Sequence, residues 1–251
     1  EIRLLSLDEN GAVKVTDPNA SSGTVITSRL PYTGDIDGDN KDETISTAAD
    51  EQGLTILNIE ANGSTTGVTT GIKELGSIRL FDLDGDGVRE IYLDGKDANG
   101  QSITCAVLYS AGESRPLHLA LFDSQSYALG TIKDFEDGKL VLDTEMNILG
   151  TYKVKSVYTL SDNTFAKSSG DIVFDNNTTY VTTSKSITLS NGSLLAKGTK
   201  LRFTSTDGSS VIHFVTDGGF TGSIPIASSG AGWTIGGQPD TSCFTSLPYK
   251  N

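Results

Sequence analysis

Short stretches of alternating apolar and polar residues recur along the chain, separated by turns rich in Gly, Asn and Asp. Residues 152–158 (YKVKSVY) alternate over most of their length, and residues 44–47 and 91–93 are mostly β-branched, apolar or aromatic. A period of two is typical of a half-buried β-strand. The pattern therefore predicts an all-β protein. Residues 114–126 break the rhythm and fit either a buried strand or a short helix.

The pattern changes near the middle of the chain. Residues 161–177 are rich in Ser, Asp, Asn and Gly, which favours a linker or a long turn. Closely spaced short strands follow, with turns between them. The strands are predicted at 180–183, 186–189, 200–203, 211–215 and 222–226, and the turns at 197–198, 207–208 and 217–219. We predict two domains, residues 1–162 and residues 163–251.

The first domain contains an internal repeat built on two acidic stretches, residues 35–43 and 82–90. Both carry carboxylates at positions 1, 3, 5 and 9 of one nine-residue frame: Asp35, Asp37, Asp39 and Glu43, and Asp82, Asp84, Asp86 and Glu90. Each is followed at the same distance by a predicted hairpin turn, at Gly53 and Gly100. A similar turn occurs at residues 10–11, and a shortened third copy without the final acid occupies residues 135–143.

This spacing of acids predicts a calcium-binding loop. Ca²⁺ takes six to eight oxygen ligands, and alternate side chains of a tight loop can supply them with the backbone carbonyl at position 7, here Lys41 and Val88. Position 6 is expected to have φ > 0 and holds Asn40 or Gly87, the residue types that tolerate it. The two stretches carry net charges of −4 and −3, more than half of the −13 of the chain. We therefore predict two structural Ca²⁺ sites; two acidic turns without metal are the alternative.

Each predicted loop is followed by a strand rather than by the helix of an EF-hand. In this the residues resemble the FG-GAP or VCBS-type repeats of integrin α-subunits and their bacterial relatives. The resemblance implies β-propeller blades that hold calcium between strands. The first domain contains only three repeats and a fraction, so a small or incomplete propeller, or blades packed in another way, is expected. Residues 163–251 resemble a bacterial SH3-like barrel, which implies a module for wall peptides, glycans or intramolecular docking.

The composition indicates which partners and which cellular location are expected. An isoelectric point near 4.5 disfavours nucleic acid and anionic membranes as partners. No apolar run is long enough to span a bilayer. Calcium loops suit the exterior of the cell, so we expect an extracellular or cell-surface bacterial monomer, with a segment missing before Glu1. Cys105 and Cys243 form either a disulfide or two separate buried thiols.

Residues suited to catalysis are scarce. His118 and His213 fit partnered histidines better than bases, and residues 230–236 (GAGWTIG) fit a flexible turn. Trp233 fits a packing anchor. The sequence therefore predicts a non-catalytic, calcium-stabilised binding or adhesion protein whose ligand is a glycan, a wall peptide or a surface protein. The alternative is an enzyme, or an accessory module, that degrades cell wall or polysaccharide with two of four acids: Asp134, Glu136, Asp143 and Glu145.

Overall fold

The computed structural model describes residues 4–7, 13–16, 23–110, 117–230 and 232–250. Strands dominate this part of the chain, and its helical residues are a 3-10 turn at Thr27–Arg29 and the four-residue α1 at Asp240–Cys243. The all-β prediction is confirmed. None of the described helices is long and apolar enough to cross a membrane.

The chain divides into two compact units. Unit 1 comprises residues 1–142 and 157–168, and unit 2 comprises residues 143–156 and 169–251. The strands Lys139–Asn147 and Thr151–Ser161 therefore each contribute residues to both units. The predicted domain limits, 1–162 and 163–251, treat the chain as two consecutive segments and stay a prediction.

Unit 1 contains three sheets in which four consecutive strands lie side by side. The first sheet is β4–β5–β6–β7, the second is β8–β9–β10–β11 and the third is β14–β15–β16–β17. Additional strands extend them: β3 pairs with β8, β13 with β10, and β12 runs parallel to β17. The strands are β1 (Leu4–Leu7), β2 (Val13–Thr16), β3 (Thr24–Val25), β4 (Tyr32–Gly34), β5 (Glu43–Ala49), β6 (Thr55–Ala61), β7 (Ser64–Thr69), β8 (Glu74–Phe81), β9 (Glu90–Lys96), β10 (Ser102–Tyr109), β11 (Leu117–Leu119), β12 (Leu121–Phe122), β13 (Ala128–Leu129), β14 (Thr131–Glu136), β15 (Lys139–Asn147), β16 (Thr151–Ser161) and β17 (Thr164–Lys167).

The second sheet of unit 1 is buried on both faces. Along β9, Ile91 and Leu93 join one hydrophobic cluster with residues of the first sheet, whereas Tyr92 joins another with residues of the third. Along β10, Val107 and Ala106 divide in the same way. Successive side chains of a strand point to opposite faces, so the second sheet packs between the other two. The three sheets form a stack.

Unit 2 is built on a sheet of order β24–β23–β22–β19–β28, with β18 beside β22. A hairpin, β20–β21, and a three-stranded sheet, β25–β26–β27, complete it. Its core contains Phe203, Phe214 and Leu201, all almost fully buried. The strands are β18 (Ile172–Val173), β19 (Val181–Thr183), β20 (Ile187–Thr188), β21 (Leu194–Leu195), β22 (Lys200–Thr206), β23 (Val211–Thr216), β24 (Thr221–Pro225), β25 (Ala227–Ser229), β26 (Gly232–Ile235), β27 (Gln238–Pro239) and β28 (Phe244–Thr245).

Two sequence predictions of irregular structure are wrong in part. The predicted linker at 161–177 contains β17, because Phe165 is fully buried among the aromatic residues of unit 1. The predicted flexible turn at 230–236 contains β26, which pairs with β25 and β27. Trp233 in β26 packs against the core of unit 2.

Two further predictions have definite outcomes, and a third has none. Residues 117–119 and 121–122 form strands, which settles the choice left open for that segment. Cys105 and Cys243 are free and buried, so the two-thiol alternative holds. The predicted turn at residues 10–11 lies outside the described residues.

Candidate metal centre

The two acidic stretches form loops at equivalent places in neighbouring sheets. Residues 35–43, here called loop 1, connect β4 to β5, and residues 82–90, called loop 2, connect β8 to β9. Both are therefore the first connection of a four-stranded sheet. The final acid of each loop, Glu43 or Glu90, is also the first residue of the following strand.

The aspartate at position 1 organises each loop by accepting two backbone hydrogen bonds. In loop 1, Asp35 Oδ1 accepts from Gly38 N at 2.8 Å and Asp35 Oδ2 from Asn40 N at 3.0 Å. In loop 2, Asp82 accepts from Gly85 N at 2.7 Å and from Gly87 N at 3.0 Å. The two loops thus fold around their first carboxylate in the same way.

The aspartates at positions 3 and 5 also form the same backbone hydrogen bonds in both loops. Asp37 and Asp84 accept hydrogen bonds from the backbone N–H of position 5, at 3.2 and 3.3 Å. Asp39 and Asp86 accept from the N–H of position 7, both at 2.8 Å. These short-range bonds are Asx turns, which Asp forms readily with backbone two residues ahead.

Position 6 has a positive φ in both loops, as the residue types predict. The value is 63° at Asn40 and 91° at Gly87. Side chains other than Asn and Asp are strained in this region. The chain can therefore curl back toward the acids in both loops.

The glutamate at position 9 is buried in both loops, unlike the aspartates. Only 3% of Glu43 and 4% of Glu90 is exposed. Glu43 Oε2 accepts from Ile36 N at 2.9 Å, and Glu90 Oε2 accepts from Leu83 N at 2.8 Å. Each glutamate therefore closes its loop by binding the N–H of position 2.

The loops differ in what surrounds this glutamate. Tyr92 donates a hydrogen bond from its hydroxyl to Glu90 Oε2 at 3.1 Å, whereas Ile45 occupies the equivalent position in loop 1. Tyr92 was not among the predicted site residues. The signal available in the sequence was an aromatic residue two positions after the last acid, which by itself is also typical of any β-strand.

Carboxylate oxygens converge in both loops, but in different numbers. Oxygen atoms of Asp82, Asp84, Asp86 and Glu90 lie within 4.8 Å of one another. In loop 1 the corresponding group consists of Asp35, Asp37 and Asp39. The structure thus brings together the four acids predicted for loop 2 and three of the four predicted for loop 1; Glu43 lies next to them in the fold but outside this group.

The two loops also differ at position 7, which is a lysine in loop 1 and a valine in loop 2. Lys41, at position 7 of loop 1, places its Nζ 2.9 Å from Asp39 Oδ2. This partner lowers the pKa of Asp39 below its usual value, chiefly through the side-chain hydrogen bond. Val88 occupies position 7 in loop 2 and has no charge to offer. Loop 1 therefore contains an internal ion pair, whereas the base of loop 2, Arg89, lines a cavity beside its acids.

Crowded charge and burial affect the acids at position 9. Burial, reinforced by Asp84 and Asp82, raises the pKa of Glu90 to about 7. Burial also raises the pKa of Glu43, with Asp37, Asp39 and Asp35 contributing in the same direction. Both glutamates are thus held where their negative charge is unfavourable without a nearby cation.

The two loops touch each other. Arg89 N in loop 2 donates a hydrogen bond of 2.8 Å to Ile36 O in loop 1. A side-chain carbon at Gly38 would lie 3.1 Å from Gly87 O, so the backbones are close. The turn between β14 and β15 continues the row, since Gly138 approaches Leu83 O. This third turn has the place of a loop but not the spacing of acids found in loops 1 and 2.

A small cavity of about 60 Å³ opens beside loop 2. Its lining includes Asp84, Asp86, Arg89 and Glu90 of loop 2, together with Tyr109 and Asn163. The cavity is large enough for a few water molecules at most. The acids of loop 2 therefore have room for additional oxygen ligands from solvent.

The four acids considered for catalysis lie on two neighbouring strands, β14 and β15. Asp134 and Glu136 lie on β14, and Asp143 and Glu145 lie on β15 within unit 2. None of them lines the cavity beside loop 2. His213 pairs with Asp171, Nε2 to Oδ2 at 3.2 Å, on the surface of unit 2.

Comparison of the chain with models of protein families, with curated proteins and with solved structures gave no match. The resemblances to FG-GAP or VCBS-type repeats and to an SH3-like barrel therefore stay predictions, and the geometry of the two loops carries the functional argument.

Proposed function

We propose that the protein is a calcium-stabilised, non-catalytic binding or adhesion protein of the extracellular space or the bacterial cell surface. Unit 1 supplies the calcium sites on FG-GAP-like, propeller-type sheets, and unit 2 supplies an SH3-like binding module. The observation that carries the proposal is the repeated loop. Two loops with the same backbone hydrogen bonds, at equivalent positions of adjacent sheets, each bring at least three carboxylates together.

Coordination chemistry supports Ca²⁺ as the ion. Four carboxylates of loop 2 and the carbonyl of Val88 provide five oxygen donors before any bidentate contact or water is counted. The aspartates are exposed or half-buried, which allows the ion to retain water. The proposed ligands are all oxygen atoms, which disfavours Zn²⁺ and other metals that prefer nitrogen or sulfur.

The role of the ion is structural. Each loop begins at the end of one strand and finishes on the first residue of the next, so an ion bound by positions 1 to 9 fixes the strand connection. Extracellular modules commonly bind calcium with dissociation constants of roughly 10⁻⁴ to 10⁻³ M, which suits the calcium concentration outside cells. An ion that binds only the folded protein stabilises it by mass action.

Thermal unfolding with calcium or with a chelator tests the proposal. We expect saturating calcium to raise the Tm of the full chain, and Asp84→Asn to reduce that increase. Asp42→Asn is the matched control, because Asp42 lies in loop 1 at position 8, where it is not a proposed ligand. If calcium and chelator give the same Tm, or if Asp42→Asn reduces the effect as much as Asp84→Asn, the proposed role of calcium is wrong.

A further inference from the structure

Unit 2 contains an open pocket of about 370 Å³ that none of the sequence motifs identified. It lies between the segment that follows β18 and the strand β22. The volume falls at the lower end of the roughly 300–1,000 Å³ typical of small-molecule sites. Its lining residues are Phe174, Asn176, Asn177, Thr178, Tyr180 and Arg202.

Arg202 is the charged group of this pocket, and its orientation is fixed from one side. Its Nη1 donates to Asn177 O at 3.3 Å, the one hydrogen bond recorded for this guanidinium within the described part of the chain. A guanidinium has five N–H donors arranged as a planar fork. Arg202 can therefore bind a planar anion while it keeps its contact with Asn177.

Two neighbours extend the site. Lys200 precedes Arg202 by two residues on β22, so both side chains lie on the same face of that strand. The Nζ of Lys200 lies 5.1 Å from the centre of the Tyr180 ring. This cation–π contact positions an aromatic ring that is 39% exposed at the pocket.

The local charge is opposite to that of the chain as a whole. Arg202 lines the pocket and Lys200 lies beside it, while the one acid of residues 174–202 is Asp175, in a chain with a net charge of −13. The side chain of Asp175 accepts a hydrogen bond of 3.1 Å from Nδ2 of Asn176. The pocket thus favours an anion where most of the protein repels one.

We propose that this pocket binds a carboxylate-bearing sugar, such as a uronic acid residue of an acidic glycan. The guanidinium of Arg202 pairs with the carboxylate, for which its fork geometry is suited. Tyr180 provides an apolar ring edge, and Asn176 and Thr178 provide polar groups for sugar hydroxyls. The pocket has room for one sugar ring. The proposal rests on the proposed function as a binding protein and specifies its ligand, but it does not depend on the calcium loops.

A titration with two matched ligands tests this. Methyl β-D-glucuronide and methyl β-D-glucoside differ only in the carboxylate, and both are added to the full chain at millimolar calcium and followed by NMR chemical shifts. We expect the glucuronide to bind and to shift signals of Tyr180 and of residues 174–178. The glucoside should bind about tenfold more weakly or not detectably, since a charge-assisted hydrogen bond is lost.

Three variants locate the site. Arg202→Gln, Lys200→Gln and Tyr180→Ala should each weaken glucuronide binding, with about a tenfold loss for Arg202→Gln. Lys197→Gln is the control, because it removes one exposed positive charge outside the pocket. Lys200 and Tyr180 are exposed, so their variants report on binding even if Arg202→Gln unfolds unit 2.

The proposal is overturned if glucuronide at about 10 mM, which would occupy even a site of millimolar affinity, shifts no signal of Tyr180 or of residues 174–178. Equal binding of the glucoside, or equal losses from Lys197→Gln and Lys200→Gln, would also overturn it. Calcium-dependent stability and glucuronide binding are separate measurements. A missing calcium effect on Tm with intact glucuronide binding removes the calcium role alone, and the reverse result removes this pocket alone.

Discussion

Loop 1 and loop 2 have the same acid spacing and the same backbone hydrogen bonds, yet they present different environments to a cation. Loop 2 gathers four carboxylates, and loop 1 gathers three and pairs one of them with Lys41. Glu90 also receives a hydrogen bond from Tyr92 that has no counterpart at Ile45. The comparison teaches that the same motif can give two loops the same backbone conformation without giving them the same affinity for a cation. We therefore expect loop 2 to bind calcium more tightly than loop 1.

The largest expected effect separates the two loops directly. Asp84→Asn should remove the tighter of two calcium-binding steps, and Asp37→Asn should remove the weaker one. Both side chains accept only one backbone hydrogen bond, so neither substitution dismantles its loop. Each affected site should lose affinity by about a hundredfold, because a lost carboxylate ligand also leaves the remaining ligands short of charge.

Isothermal titration calorimetry of the full chain measures both steps. Asp42→Asn is again the control and should leave both steps in place. Removal of the tighter step by Asp37→Asn instead of Asp84→Asn would reverse the order that we assign to the loops.

The second expected effect concerns pH in the absence of calcium. The pKa of Glu90 is about 7 in the folded protein, and that of an unfolded glutamate is about 4.3. The folded state therefore holds a proton that the unfolded state releases, so stability should rise as pH falls from about 7.5 to about 5, by on the order of 2 kcal/mol. The gain is complete below the unfolded pKa, and Glu43 contributes in the same direction.

Urea unfolding in chelator at several pH values measures this effect. Glu90→Gln should flatten the pH dependence, and Glu43→Gln should flatten it less. Saturating calcium should reverse the trend, since protons then compete with the ion. An unchanged slope in Glu90→Gln would show that another group is responsible.

A reciprocal exchange at position 7 tests the influence of the lysine. Lys41→Val gives loop 1 the side chain of loop 2, and Val88→Lys does the opposite. We expect the first change to strengthen calcium binding at loop 1 and the second to weaken it at loop 2, each by about two- to fivefold, as for exposed ion pairs.

Calorimetry at low and high salt checks this exchange, because screening should reduce both effects. Lys73→Val is a matched control outside the loops. If neither exchange changes the calcium affinity of its loop, the charge at position 7 has no influence on calcium binding.

The smallest expected effect lies at position 6. Gly87→Asn places a side chain at φ 91°, and no other atom lies within 4 Å of the added carbon. The cost is therefore conformational alone, about 0.5–1 kcal/mol. Asn40→Gly should change stability by no more than about 0.5 kcal/mol. Urea unfolding in the presence of a chelator measures the stability of both variants. Equal changes in stability for Gly87→Asn and Asn40→Gly would contradict the expected difference.

The two units also differ, in this case in their net charge. Unit 2 contains seven Lys or Arg and seven Asp or Glu, so the whole net charge of −13 belongs to unit 1. The proposed calcium ions would offset part of that excess near the loops, whereas we propose that the pocket at Arg202 binds an anion. The low isoelectric point of the chain conceals this division.

Local patterns in the sequence determined the features that depend on neighbouring residues. The acids at alternate positions, the positive φ at Asn40 and Gly87, and the hairpins at Gly53 and Gly100 all follow from turn chemistry over a few residues. The alternation of residues 152–158 determined that they form a strand. The all-β class followed from the same signals.

Tertiary structure alone decided which of these residues meet, because contacts between distant segments leave no periodic trace in the sequence. The burial of Glu90 against Tyr92, the hydrogen bond from Arg89 to Ile36, and the parallel pairing of β12 with β17 are of this kind. So is the pocket between residues 174–180 and Arg202. Spacing along the chain specified two similar loops, and packing against their sheets made them different.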